Sequence, residues 1–247
     1  MASRKQEKER LRQERIEAEK RDADAARRRL LLGYLVAGVL AAAVVVGLVI
    51  VIASGGGGGG KNDFPENAHI NAQFGIVPKG IEPDDREGTA PSSIEHADLQ
   101  EAAKLAGCDL MLDLPDEGNG HLAPNDPHPD YETNPPTSGD HSPEPLADGA
   151  YATPPEDLNF VHSLEHGRIE IQYSPDLPEE DQLMLKGIFD ESPGGMLLFP
   201  NPDMPYEVAA TAWTQVLGCK KYDEGVLDAI RDFRDTYRGR GPESVPF

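Results

Sequence analysis

The longest run of apolar positions lies near the N-terminus. Residues 30–53 (LLLGYLVAGVLAAAVVVGLVIVIA) contain no charged side chain. As a helix, this run spans roughly 36 Å, which exceeds the bilayer hydrocarbon core of about 30 Å. A cleaved signal peptide is the alternative, although its apolar region usually has only about 7–15 residues. The run therefore predicts a single transmembrane helix over residues 30–53.

The charges around this run predict its orientation. Residues 1–29 carry 11 Lys/Arg and 7 Asp/Glu, and three arginines directly precede the run. The positive-inside rule places this arm, a predicted charged helix, in the cytoplasm, and the C-terminal part in the extracytoplasmic space. Residues 54–91 begin with Ser54 and six glycines and continue with scattered prolines, which is typical of a flexible tether and stalk. Membrane lipid is the partner that this anchor implies.

From residue 92 onward the pattern changes to that of one folded domain. Periods near 3.6 residues predict helices, whereas alternating or short continuous apolar runs predict strands. Residues 109–157 are acidic and rich in Pro, Gly and His, which favours an irregular loop region. Because helices and strands mix without a βαβ rhythm, the fold class expected for residues 92–247 is α+β. The expected elements are helices over 92–105, 178–189 and 223–237, and strands over 168–173, 196–199 and 208–213.

Composition narrows the classes of ligand. The chain has 23 Lys+Arg against 44 Asp+Glu, a formal net charge of −21. Because nucleic-acid affinity depends on Lys/Arg contacts with phosphates, this balance argues against a nucleic-acid partner. The N-terminal arm is net positive, so the remaining residues carry −25, and cations are the better ligands for that part.

The two cysteines, Cys108 and Cys219, fall on the predicted external side. An oxidising compartment favours a disulfide between them, whereas two buried free thiols are the alternative. A redox-active pair is disfavoured because no C-x-x-C spacing is present.

Candidate chemistry rests on histidines in two distinctive stretches and one looser context. His141 follows NPPTSGD, His162 and His166 flank Glu165 in VHSLEHG, and His121 ends EGNGH. Neutral imidazole is the commonest nitrogen ligand of protein-bound metals. We therefore expect a transition-metal site for copper or zinc, with His141, His162 and His166 as ligands. Glu165 or His121 would complete or support it.

Two other interpretations compete with metal binding alone. The H-x-x-E-H spacing matches a metalloprotease pattern with Glu as general base, but Gly167 leaves room for fewer than three helical turns from Asp157. A metal-dependent hydrolase is therefore the weaker hypothesis. The second alternative is a non-catalytic interaction module of the cell envelope whose histidines only hold loops together.

Four stretches in this order resemble a known bacterial family: YETNPPTSGDH, VHSLEHGRIEIQY, VAATAW with the late cysteine, and YRGRGPE. They resemble the membrane-anchored domain-of-unknown-function family 3105. The resemblance covers roughly residues 95–245 and implies one N-terminal span with an external domain, but no activity. Besides His141, His162, Glu165 and His166, the matching motif residues, with structural roles expected, are Pro135, Pro136, Thr137, Ser138, Gly139 and Gly167.

Overall fold

A computed structural model of the chain describes residues 64–92 and 98–247. The predicted cytoplasmic arm, the predicted span and residues 54–63 of the tether lie outside these residues. Within the described part, no helix is both long enough and apolar enough to cross a membrane. The compact unit runs from Asp63 to Phe247.

A mixed six-stranded sheet forms the centre of the unit, which confirms the α+β class. Its strand order is β1-β6-β5-β3-β4-β2. β3 pairs parallel with β4 and antiparallel with β5, and β4 pairs parallel with β2, whereas β5–β6 and β6–β1 are antiparallel. The strands are β1 (Asp109–Met111), β2 (Gly149–Ala150), β3 (Ile169–Tyr173), β4 (Met196–Pro200), β5 (Val208–Ala212) and β6 (Gln215–Cys219).

Helices and loops cover the sheet on both faces. Three helices pack on one face over the larger apolar core: α1 (Leu99–Leu105), α3 (Glu179–Glu191) and α4 (Gly225–Tyr237). Helix α2 (Asp157–Glu165) and the irregular chain pack on the other face around a smaller cluster that includes Phe160, Leu164 and Phe199. This second layer carries the histidine motifs.

The first helix begins later than the sequence pattern predicts. The pattern predicted a helix over residues 92–105. Ser92 is not helical, and α1 begins at Leu99, where the Asp98 side chain accepts hydrogen bonds from two backbone N–H groups. A carboxylate at this position satisfies orphan donors of the first turn and favours the positive end of the helix dipole.

Strand β3 is more buried than its alternating pattern predicts. All five of its residues are buried, including Glu170 and Gln172 on the polar side. The alternation predicted a half-buried strand, but α2 and the irregular chain cover the second face. Glu170 accepts hydrogen bonds from Gln172 and from Thr211 on β5, at 2.9 and 2.8 Å. Burial raises the pKa of the Glu170 carboxyl well above its usual value.

The segment interpreted as a stalk packs against the domain from residue 64 onward. Ile70, Val77 and Ile81 contact the cluster around α2, and buried Asp84 binds the Arg86 guanidinium. The Asn67 carbonyl accepts a hydrogen bond from Lys186 on α3. The edge of the compact unit therefore lies nearly thirty residues before the composition change at residue 92.

The predicted disulfide is present. Cys108, just after α1, is bonded to Cys219 at the end of β6, across 111 positions of sequence. The bond links the helix that opens the C-terminal region to the strand beside β1. An oxidising environment during folding is the usual condition for such a bond.

Reduction of this bond should destabilise the domain. A closed loop of about 100 residues removes enough entropy from the unfolded chain to contribute roughly 2–5 kcal/mol. Urea denaturation of the Cys108→Ala/Cys219→Ala variant should show a loss in that range. Dithiothreitol should lower the stability of wild-type protein but leave the variant unchanged. A variant as stable as oxidised wild type would contradict this expectation.

Glu170→Gln should change the pH dependence of stability. Because the folded pKa of Glu170 is raised, the folded state retains a proton that the unfolded state releases above about pH 4.5. The contribution of Glu170 to wild-type stability therefore falls as pH rises above that point, by about 1.4 kcal/mol per pH unit, until the folded pKa is reached. The glutamine variant lacks this loss, so its advantage should be smallest near pH 4 and should widen toward neutral pH.

Urea titrations at several pH values measure this difference. Glu180→Gln, on the exposed side of α3, is the matched control for the removal of one carboxylate. A constant gap between Glu170→Gln and wild type across pH 4–8 would refute buried protonation.

Candidate metal centre

Three separate segments bring the motif histidines to one place. His121 lies in the irregular chain after β1, His141 follows the PPTSG motif, and His162 lies on α2 with Glu165 one turn later. A short ladder joins the first two segments, with the His141 N–H donating to the Gly120 carbonyl and the Leu122 N–H donating to the His141 carbonyl. His121 and His141 therefore lie side by side.

Helix α2 ends at the cluster in a Schellman motif. The Gly167 N–H donates to the Leu164 carbonyl, and the Arg168 N–H donates to the Ser163 carbonyl. Gly167 has a φ of +77°, and a Cβ there would lie 2.9 Å from the backbone of Gly239. The helix must end at this position, so Glu165 and His166 occupy its C-terminal end. The partial negative charge of a helix C-terminus favours a cation there.

The PPTSG motif supports the backbone that carries His141. Pro135, Pro136 and Thr137 are buried, and the Ser138 hydroxyl accepts a hydrogen bond from the Glu117 backbone N–H. Gly139 has a φ of +115°, and a Cβ there would lie 2.8 Å from the Tyr131 ring. These positions fix the backbone of the loop.

Glu165 lies at the centre of the cluster. Its Oε2 is 3.1 Å from Nε2 of His141, 3.7 Å from Nε2 of His121 and 3.8 Å from Nε2 of His162. One ligand atom from each of the four side chains lies within 4.8 Å of the others. Two tetrahedral ligands at usual zinc distances are about 3.3 Å apart, so the spacing suits one ion with little rearrangement.

Hydrogen bonds set the tautomers of two imidazoles. Nδ1 of His141 lies 2.8 Å from the Gly139 carbonyl, and Nδ1 of His162 lies 2.7 Å from the Ser142 carbonyl. Because a carbonyl only accepts, each Nδ1 carries a hydrogen, and each ring places its Nε2 on the side of Glu165. Backbone carbonyls commonly orient metal-binding histidines in this way.

The charge state of His162 also suits a ligand. Burial, together with the neighbouring imidazoles, lowers the pKa of His162 to about 3. Its ring is therefore neutral at physiological pH, as metal binding requires. Burial and the nearby Arg168 guanidinium also lower the pKa of His166.

His166 lies beside the four-residue group and not within it. Its Nε2 is 3.0 Å from Nε2 of His162 and 3.4 Å from Oε2 of Glu243. Glu165, His166 and Glu243 form a second group of ligand atoms within 4.8 Å of one another. Among the described residues, the buried Nδ1 of His166 has no hydrogen-bond partner.

Two residues of the site were missed by sequence reasoning. The Asn119 amide donates to Oε1 of Glu165 at 2.6 Å, and Glu243 faces His166. Asn119 lies two residues before His121 in EGNGH, and Glu243 ends the YRGRGPE stretch. Their positions in these stretches were the available signal.

The arrangement gives Glu165 the role of a ligand or acceptor. Its side chain is 1% exposed, with Oε1 bound to Asn119 and Oε2 facing three imidazoles. A hydrolytic base needs free access to a metal-bound water. The metalloprotease interpretation of H-x-x-E-H therefore loses its base in this geometry. His121, with a side chain 46% exposed, forms the solvent side of the group.

Comparison with known proteins gives a family but no activity. No curated protein matches the chain, and no solved structure matches it either. Residues 124–246 match the family model described as Protein of unknown function (DUF3105). The matched region includes His141, His162, Glu165 and His166, while His121 lies just before it. The protein is therefore a member of the DUF3105 family.

Proposed function

We propose that this protein is a membrane-anchored metal-binding protein of the cell envelope. The observation that carries the proposal is the convergence of Nε2 atoms from three histidines on one buried carboxylate, that of Glu165. With one oxygen and three nitrogen donors, the group suits zinc or copper better than magnesium or calcium, which prefer all-oxygen sites. Residues of the chain that would hold the ion are His121, His141, His162 and Glu165.

The surroundings of the Glu165 carboxylate support this proposal. A buried carboxylate is costly unless paired or hydrogen-bonded. Asn119 donates to Oε1 of Glu165, while Oε2 lies 3.1 Å from Nε2 of His141 and 3.8 Å from Nε2 of His162. A cation at this point would replace the contact between His141 and Glu165 with coordination to both side chains. When bound, the ion would supply positive charge at this point, and the protein would supply a fixed set of donors.

The extracytoplasmic location rests on three independent features. They are the apolar run over residues 30–53, the basic arm before it, and the Cys108–Cys219 disulfide. A disulfide fits an oxidising compartment, and the basic arm fits the cytoplasmic side of a span. The acidic domain would then meet cations outside the cell.

Loss of a ligand should abolish tight metal binding. Chelator-stripped full-length protein in detergent should take up zinc or copper on dialysis, as elemental analysis measures. His162→Ala should weaken affinity by at least about 100-fold, because losing a ligand should cost at least as much as losing its supporting residue. His128→Ala removes an exposed histidine paired with Asp157, away from the group, and should bind metal like wild type.

The outcome also separates the alternative function. If wild-type protein takes up neither zinc nor copper, the metal proposal is wrong. If His162→Ala then lowers the thermal stability of chelator-stripped protein, the histidines serve only to join loops in an interaction module.

Asn119→Ala should weaken metal binding without removing a ligand. The Asn119 amide orients the Glu165 carboxylate, and such supporting residues contribute about 10–100-fold to affinity. Competition with a chromogenic zinc chelator should show a drop in this range, with unchanged stoichiometry. Equal affinities of the variant and wild type would remove Asn119 from the site.

A further inference from the structure

A second set of ligand-type side chains adjoins the first and shares Glu165 with it. Glu165, His166 and Glu243 come from the end of α2 and from the C-terminal segment, residues 239–247. We infer that the site is dinuclear, with Glu165 bridging one ion held by the three histidines and a second ion held by His166 and Glu243. This inference rests on the proposed function and extends it.

The geometry of Glu165 permits a bridge. A carboxylate has about four lone-pair positions on two oxygens, and Asn119 uses one of them. Paired metal ions in proteins lie about 3.5–4 Å apart, a separation that one carboxylate can span. The distance of 3.4 Å from Nε2 of His166 to Oε2 of Glu243 is close to the spacing of two ligands on a single ion.

The backbone holds Glu243 at this place. The Glu243 N–H donates to the Glu165 carbonyl at 3.0 Å, and the Gly239 N–H donates to the Gly167 carbonyl at 2.8 Å. A Cβ on Gly241 would lie 2.1 Å from the Glu165 carbonyl, so only glycine lets these two segments of the chain approach this closely. Position 243 is thus fixed against the end of α2 by main-chain contacts.

Buried Arg168 contacts the end of this C-terminal segment and holds it in place. Its guanidinium binds Asp148 and donates to the carbonyls of Val245 and Pro246. The terminal Phe247 ring lies under the Arg168 and Arg238 guanidinium groups, 5.8 and 5.6 Å from its centroid. This segment contains no helix or strand, and these contacts anchor it on both sides of Glu243.

The two positions differ in exposure, which predicts different affinities. Three of the four ligand side chains of the first ion, those of His141, His162 and Glu165, are 4% exposed or less, and His121 is 46% exposed. At the second position, the side chains of His166 and Glu243 are 11% and 52% exposed. Protein donors to the second ion are fewer, so water must complete its coordination. The second ion should bind more weakly and should face solvent.

Another arrangement uses the same residues with one ion. Nε2 of His166 lies 3.0 Å from Nε2 of His162, so His166 could join the first ion as a further ligand. That arrangement gives one ion per chain and leaves Glu243 without a metal. The number of ions bound per chain and the effect of replacing Glu243 therefore decide between the two arrangements.

The test is a zinc titration of chelator-stripped full-length protein in detergent, followed by calorimetry and elemental analysis. Wild type should bind two equivalents, the second at least about 10-fold more weakly than the first. Glu243→Gln should bind one equivalent, with the first affinity within about threefold of wild type, because its backbone anchor does not involve the side chain. Glu224→Gln removes an exposed carboxylate next to α4 and should still bind two.

Copper supplies an independent readout. Two Cu²⁺ ions bridged by one carboxylate should be magnetically coupled, so the mononuclear paramagnetic resonance signal should weaken when the second equivalent is added. In Glu243→Gln the mononuclear signal should persist. An undiminished signal in wild type at two equivalents would overturn the bridge.

Failure of this inference is distinguishable from failure of the metal proposal. One zinc equivalent in wild type, lost in His162→Ala, would overturn the second ion and leave the first intact. Two equivalents retained in Glu243→Gln would also overturn it, since the second ion would then lie elsewhere. No zinc uptake by wild type would overturn both.

Discussion

The burial of the Glu165 carboxylate is the constraint on which the second layer of the domain depends. A carboxylate removed from water requires donors or a positive charge around it. Helix α2 supplies the residue, but its neighbours come from distant parts of the chain: Asn119, His121 and His141 from the irregular region. Those neighbours can converge only if residues 112–148 fold back over the sheet, which the short ladder beside His141 accomplishes.

The same end of α2 also explains the glycines of the late motif. A Schellman turn at Gly167 stops the helix, and the chain near Gly239 and Gly241 packs closely against that turn. A Cβ on Gly167 would lie 2.9 Å from the Gly239 backbone, and a Cβ on Gly241 would lie 2.1 Å from the Glu165 carbonyl. The absence of a Cβ at Gly167 and Gly241 permits close backbone contact, and that contact brings a second carboxylate, Glu243, to His166. Two sequence stretches more than seventy residues apart therefore serve one corner of the structure.

Several features could be predicted from the sequence because their signals are local. The helix expected over residues 178–189 is present as α3, and its apolar residues Leu185, Ile188 and Phe189 have helical spacing and are buried. The end of α2 at Gly167 followed from a glycine that a short helix could not extend beyond. Pairing of Cys108 with Cys219 followed from the count of two cysteines on one side of the predicted span.

Other features could not be predicted because they depend on packing between segments that are distant in sequence. β6 was missed because its two-residue hairpin, Trp213–Thr214, lacks the Asn-Gly or Asp-Gly signal of a tight turn, even though Thr214 has a φ of +59°. Burial of Glu170 was missed because alternation on β3 suggests a solvent-facing side, and no local pattern shows that α2 covers it. Asn119 and Glu243 are polar residues in polar stretches, so their roles follow only from their neighbours in space.

The two faces of the sheet differ in the interactions that stabilise them, and this difference indicates why a metal would matter to this fold. On the sheet face covered by α1, α3 and α4, a large apolar core and a disulfide supply stability without further help. On the opposite face, the apolar cluster is small and the chain between β1 and β2 is almost without regular structure. An ion held between His121, His141 and α2 would close that loop onto the helix, much as the disulfide closes the other side. Since an ion that binds only the folded state stabilises it, metal binding and ordering of this layer should be one coupled process.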